Sequence, residues 1–130
     1  MNVIADDSLI DVARKAAPAA YSPYSKFRVG AAALFAESGY IYTGCNVENA
    51  SFGLTICAER VAICKAVSNN HRQLVKIAIA VVDEHGLPKK SFMPCGACLQ
   101  FMQEFAQQDL EIIVDGAGSF SLQQLLPLPF

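Results

Sequence analysis

The sequence predicts an α/β layered domain built on a mixed sheet, and three observations carry that expectation. Apolar β-rich runs alternate with helical stretches along the chain. One run, Val75 to Val82, is almost wholly β-branched residues and alanine, the signature of a strand covered on both faces. The order strand–strand–helix–strand–helix–strand needs both hairpin and crossover connections, which a mixed sheet provides. Taken in turn, Asp7-Ser8 ahead of Leu9, Val12, Ala13 and Ala16 predicts a capped amphipathic helix that Pro18 kinks or ends. Tyr21-Ser22-Pro23-Tyr24-Ser25 reads as loop. Phe27 to Phe35 and Tyr40 to Val47 read as strands joined by a turn at Ser38-Gly39. Cys57 to Val67 has helical spacing, and a second helix runs from Pro94-Cys95-Gly96 to about Gln107. Leu110 to Val114 is a further buried strand, and Ser121 to Leu126 a short helix stopped by Pro127.

Composition limits the function classes. The 130 residues suit one domain, 1–130, with a true core. Hydrophobic residues reach 53% and charged ones only 17%, against about 25% in ordinary soluble domains. That balance excludes disorder. The longest purely aliphatic stretch, Ile77 to Val82, is far too short for a membrane span. Surplus apolar surface without a span points to a buried subunit interface, so an oligomer is expected. Net charge is −2 and the ten Lys and Arg are scattered, which argues against a nucleic-acid polymer and for a small-molecule ligand. Met1 to Ile10 carries Asp6 and Asp7 and no basic region, unlike a signal peptide. Five cysteines without an export signal suggest a reducing compartment, the cytoplasm.

Two stretches carry the chemistry. Thr55-Ile56-Cys57-Ala58-Glu59-Arg60 and Pro94-Cys95-Gly96-Ala97-Cys98 each stand at a predicted helix start. Helix N-termini present unpaired N–H groups and partial positive charge, so each favours thiolate over thiol. Two such termini facing one another would hold three thiolates around one Zn²⁺ and leave the fourth tetrahedral position open, as a catalytic site requires. Glu59, two residues after Cys57, would stand beside that position without ligating. The order Cys-x-Glu then Pro-Cys-x-x-Cys follows the zinc deaminase pattern. Three thiolates outweigh the metal's charge, and Arg60 is placed to donate to one sulfur and offset the excess. Alternatives stay open at this point. Cys95-Gly96-Ala97-Cys98 has thiol–disulfide exchange spacing, though that would not explain Cys57-Ala58-Glu59. A structural zinc site with Cys45 or Cys64 as fourth ligand is another reading. Cys64 lies about 10 Å along the helix from Cys57, too far to share an ion, and both extra cysteines read as core or strand residues.

Four blocks in register resemble the small homotetrameric cytidine deaminases: Tyr21 to Ala32, Gly44 to Ser51, Cys57 to Arg60, and Pro94 to Cys98. The closing Leu125-Leu126-Pro127 is similar too, while Leu99 stands where the family usually carries Arg. The resemblance implies a three-layer α/β/α sandwich with a five-stranded mixed sheet. It implies one zinc per subunit on Cys57, Cys95 and Cys98, with Glu59 as proton shuttle. Asn46 and Glu48 would bind the ribose hydroxyls, Phe27 would pack on the pyrimidine, and the Ala58 backbone would lie along the base edge. Phe130 resembles the aromatic that reaches into a neighbouring subunit's site. The implied reaction is hydrolysis of cytidine and 2′-deoxycytidine to the uridines and ammonia, in pyrimidine salvage. Keeping Asn46 to Asn49 favours these nucleosides over nucleoside antibiotics such as blasticidin S. The rival from another class is a zinc-stabilised interaction module.

Overall fold

The computed structural model describes residues 5–37, 39–89 and 92–130. Five strands, β1 (Arg28–Phe35), β2 (Ile41–Cys45), β3 (Leu74–Val82), β4 (Ala106–Val114) and β5 (Gly118–Ser121), form one sheet in the order β2-β1-β3-β4-β5. The β3–β4 pair is parallel and the other three are antiparallel. Helix α1 (Asp6–Ala16) covers one face. Helices α2 (Ala58–Ser68), α3 (Gly96–Phe105) and α4 (Leu122–Leu125) pack on the other, completing an α/β/α sandwich.

Strand alternation sorts the core by face. Ala31, Ala33, Phe35, Ile77 and Ile79 point to the α2–α3 side, while Ala32, Ala78 and Ala80 point to α1. One glycine on each side sets how closely a helix approaches. A Cβ on Gly30 would lie 1.9 Å from the Ala13 carbonyl oxygen of α1. A Cβ on Gly44 would lie 2.4 Å from the Ala58 carbonyl oxygen and 2.5 Å from the Ala62 nitrogen. Helix backbone therefore rests directly on strand backbone at both points, and the first turn of α2 is pinned to β2.

Topology then collects the chemistry at one rim. Strands β2 and β3 both run antiparallel to β1, so α2 and α3 each follow a strand pointing the same way. Both helix N-termini consequently face the rim where β2 and β3 end. Strand β1 starts at that rim, because Gly30 pairs with Cys45 and Arg28 with Val82. Phe27, the segment after Cys45 and the segment before Gly96 thus converge. Ligand sites in open α/β sheets gather at strand C-termini for the same reason.

Several details differ from the sequence reading. Helix α1 starts at Asp6 after Ala5, which offers no side-chain cap, so Asp7 and Ser8 lie inside the helix. Asp6 and Asp7 instead fill its first turn, where the helix dipole favours carboxylates. Helix α3 stops at Phe105 and the chain passes straight into β4 at Ala106, earlier than Leu110. Strand β5 was not expected from periodicity, although the family resemblance implied a fifth strand. Ser38 of the Ser38-Gly39 turn lies outside the described residues; Gly39 takes a φ of 66° suited to a turn. Cys64 is exposed on α2 rather than a core or strand residue. No described helix is long and apolar enough to cross a membrane.

Candidate active site

Cys57 is the N-cap of α2 and Cys95 the N-cap of α3, and neither sulfur is spent on a capping bond. Cys98 stands on the first turn of α3. The three Sγ atoms lie within 4.8 Å of one another, with Cys57 and Cys95 3.8 Å apart. A disulfide needs about 2.05 Å. Two sulfurs on tetrahedral zinc at about 2.3 Å stand about 3.8 Å apart, so the donor set fits that ion. Cys45 and Cys64 stay outside this group among the described residues, which leaves no fourth cysteine to close the site.

The electrostatics call for a cation. Hydrogen bonding from the Cys98 thiol, with help from Arg60, outweighs burial and lowers the Cys57 thiol to about 5. Cys98 moves the opposite way, because it donates to Cys57 and is buried beside Glu59. The protein alone thus holds one thiolate readily and resists a second. A divalent ion removes that resistance. Arg60 Nη2 stands 3.5 Å from both Cys57 Sγ and the Thr55 carbonyl oxygen. Among the described residues its buried Nε has no hydrogen-bond partner, leaving a spare donor beside the sulfurs.

Glu59 is only 4% exposed. Burial, with the Cys57 charge adding, pushes its carboxyl up to about 7. An acid with that affinity can take and return a proton at neutral pH. Leu99, next to Cys98, is buried in the apolar core below. A guanidinium at that position would need a partner there.

The expected substrate residues border this cluster through the backbone. Val47 exchanges two 2.9 Å hydrogen bonds with Ile56, the residue before Cys57. Tyr21 donates to the Asn46 carbonyl at 3.0 Å and accepts from the Glu48 nitrogen at 2.8 Å. The Asn46–Glu48 run is therefore fixed on both sides. Asn46 is buried and clasps β1, accepting from the Val29 nitrogen at 2.8 Å and donating to the Phe27 carbonyl at 2.9 Å. Among the described residues, one amide hydrogen and one lone pair remain uncommitted. Glu48 accepts from the Tyr24 and Ser25 nitrogens, both at 3.1 Å, and from the Ser25 hydroxyl. These donors outweigh burial and hold its carboxyl below the usual range. Phe27 is half-buried, edge-on to Phe92 at 4.9 Å, with Lys89 Nζ 5.1 Å from its ring centre. Ala58 is fully buried. Phe130 does not fold into its own chain's cluster. Its ring is fully exposed while Gln100 of α3 binds its backbone nitrogen at 3.0 Å and carbonyl at 3.3 Å.

Sequence reasoning missed Ser25, Lys89, Phe92 and Gln100. Only Ser25 carried a local signal, since a serine hydroxyl commonly accepts from the nitrogen two residues on. The others depend on contacts between distant segments. A separate cleft of about 840 Å³ between the end of α3, β4, β5 and α4 includes none of the cysteines or Glu59 and has no chemistry to match.

Comparison with known proteins agrees with this geometry. Residues 4–114 match the family described as cytidine and deoxycytidylate deaminase zinc-binding region. A cytidine deaminase of Halalkalibacterium halodurans is 40% identical over 126 residues, covering 94% of this chain and 91% of its own. The crystal structure of cytidine deaminase from Mycobacterium tuberculosis superposes with a TM-score of 0.82 at 42% identity, covering 98% of both chains. That of Burkholderia pseudomallei gives 0.85 at 37% identity over 98% of this chain and all of the other. With a matching sequence over most of its length, a shared fold and a three-cysteine cluster beside a buried glutamate, the chain belongs to the zinc-dependent cytidine and deoxycytidylate deaminase family.

Proposed function

We propose that this chain hydrolyses cytidine and 2′-deoxycytidine to uridine and 2′-deoxyuridine, releasing ammonia. The observation that carries the reading is the buried Glu59 on the first turn of α2, two residues after Cys57, whose sulfur joins the three-cysteine cluster. Cys57, Cys95 and Cys98 hold the zinc. Bound zinc supplies the Lewis acidity that makes water a nucleophile near neutral pH. Glu59 accepts the proton that water gives up and delivers it to N3 of the pyrimidine, which makes C4 electrophilic. After oxygen has added at C4, Glu59 moves the second proton to the exocyclic nitrogen, and the C4–N bond breaks to expel ammonia. Arg60 offsets the charge of Cys57 throughout, supported by its 3.5 Å approach to that sulfur.

The sugar lies against Asn46 and Glu48, the base packs on Phe27, and the Ala58 backbone lines the base edge. The two uncommitted amide positions of Asn46 suit a hydroxyl that both donates and accepts. The active form is a homotetramer in the cytoplasm, in which Phe130 reaches a neighbouring site. Exposed Val47, Phe52, Leu54, Ile56 and Phe130 supply apolar surface for such contacts. The zinc-loaded protein should convert cytidine with the ultraviolet loss of uridine formation and release one ammonia per turnover. Retained zinc with no ammonia from either nucleoside would sink the reading and leave a zinc-stabilised interaction module.

A further inference from the structure

The loop before β1 contains a serine that joins the two halves of the substrate site. The Ser25 hydroxyl donates to Glu48 Oε2 and accepts from the Phe27 nitrogen at 3.1 Å. The Ser25 nitrogen donates to the other Glu48 oxygen, also at 3.1 Å. A hydroxyl has a single proton, so giving it to Glu48 fixes the rotor and turns a lone pair toward Phe27. The chain from Phe27 N–H through the hydroxyl to the carboxylate is a continuous donor–acceptor series, whose members polarise one another. Between the two contacts, Lys26 takes a φ of 67°, a left-handed conformation that a side chain such as lysine rarely adopts. Its nitrogen donates to the Ser22 carbonyl at 3.1 Å. Strain of this kind persists only where surrounding contacts hold it, and here Ser25 supplies contacts on either side.

We propose that Ser25 is a positioning residue, whose hydroxyl couples the carboxylate that meets the sugar to the backbone that aims the Phe27 ring at the base. The inference rests on the roles given to Glu48 and Phe27 in the proposed function. Among the described residues, loop donors take three of the roughly four lone-pair sites of Glu48, and one remains for a sugar hydroxyl. A hydroxyl binding there pulls on the carboxylate that anchors Ser25, and so steadies the ring platform. Sugar and base are then bound as one unit.

The test is a double-mutant cycle on the zinc-loaded protein, reading kcat and KM for cytidine and, independently, uridine affinity by calorimetry. Ser25→Ala should raise KM and weaken uridine about tenfold, the scale of a lost charge-assisted bond. Its kcat should stay within about threefold and its zinc content should not change. Ser25→Thr, which keeps the hydroxyl, should restore both constants. In a Glu48→Ala background the same Ser25→Ala change should cost less than about twofold, because the coupling partner is gone. Unchanged KM and uridine affinity in Ser25→Ala, or equal penalties in both backgrounds, would overturn the proposal. A wild-type protein that binds uridine yet releases no ammonia from cytidine would instead refute the catalytic reading. The calorimetric cycle would still decide the role of Ser25.

Discussion

Glu59 and Asp115 are both buried carboxylates, one on each side of the sheet, and their surroundings are opposite. Asp115 follows β4 on the α1 side and receives two 2.7 Å hydrogen bonds from the Arg14 guanidinium, a bidentate pair. Lys76 on that side is likewise held by Asp6 at 2.9 Å and Glu111 at 3.2 Å. Arg14, Asp115 and Lys76 thus each meet an opposite charge, as folding alone would require. Burial opposes the ionisation of Glu59 and the Cys57 charge adds to it, against the Cys98 thiol and the nearby Arg60, which turns a donor to Cys57. A carboxyl whose burial outweighs its partners burdens stability, and the proposed proton transfer gives that burden a use. The contrast separates a face of paired charges from the face that carries the proposed chemistry.

Substitutions can break that contrast in graded steps. Glu59→Gln should lower kcat by at least 10²–10⁴-fold, the usual worth of a placed acid–base. Its zinc content should stay at one per chain, and its Tm should not fall; a large loss of Tm would make Glu59 a structural residue. Next come the two close-packed glycines. Gly30→Ala and Gly44→Ala should each cost about 3 kcal/mol in urea unfolding, since backbone atoms cannot step aside. Only Gly44→Ala should also weaken zinc binding in a competition with a chelator, because it dislodges the turn that carries Cys57 and Glu59. Equal zinc affinities would erase the distinction between the faces.

Smaller effects belong to the paired charges. Asp115→Ala should cost about 1–3 kcal/mol, with the stranded Arg14 side chain 37% exposed and able to reach water. Turnover per folded molecule should stay at the wild-type rate. Lys76 has its pKa raised, chiefly by the Asp6 bond working against burial. Folding therefore favours its protonated form, so its contribution is complete below the unfolded value of about 10.5 and fades as pH rises through the raised one. Lys76→Met should cost under about 1 kcal/mol at pH 7, and less again above pH 11. A gap between the two proteins that widened with pH would reverse the sign.

Much of this was readable in the amino-acid order because it is local. Periodicity found four strands, and the Cys57 and Cys95 stretches declared themselves at helix starts. Strand β5 escaped because Gly-Ser-Phe-Ser has a single apolar residue and forms only by pairing with β4. Ala106 to Asp109 escaped for a related reason, as the register between β3 and β4 shifts there and polar residues fill an exposed stretch. At the site, residue types were legible but their commitments were not. Nothing near Glu48 in the sequence says that its carboxylate already binds a loop 23 residues earlier. Likewise the meeting of Lys89 and Phe92 with Phe27 requires β1 and β3 to be neighbours.

The gathering of Phe27, Asn46 and Cys95 beside the ends of β2 and β3 leaves the far rim without chemistry. There the chain reverses at Gly39 and at Asn70, two left-handed positions in exposed links. The Glu37 carboxylate joins the two links by accepting from the Arg72 and Gln73 nitrogens, so insertion is best tolerated at the left-handed residues themselves. A short insertion at either point would leave the reactive edge in place, so these links are where this small scaffold can be lengthened.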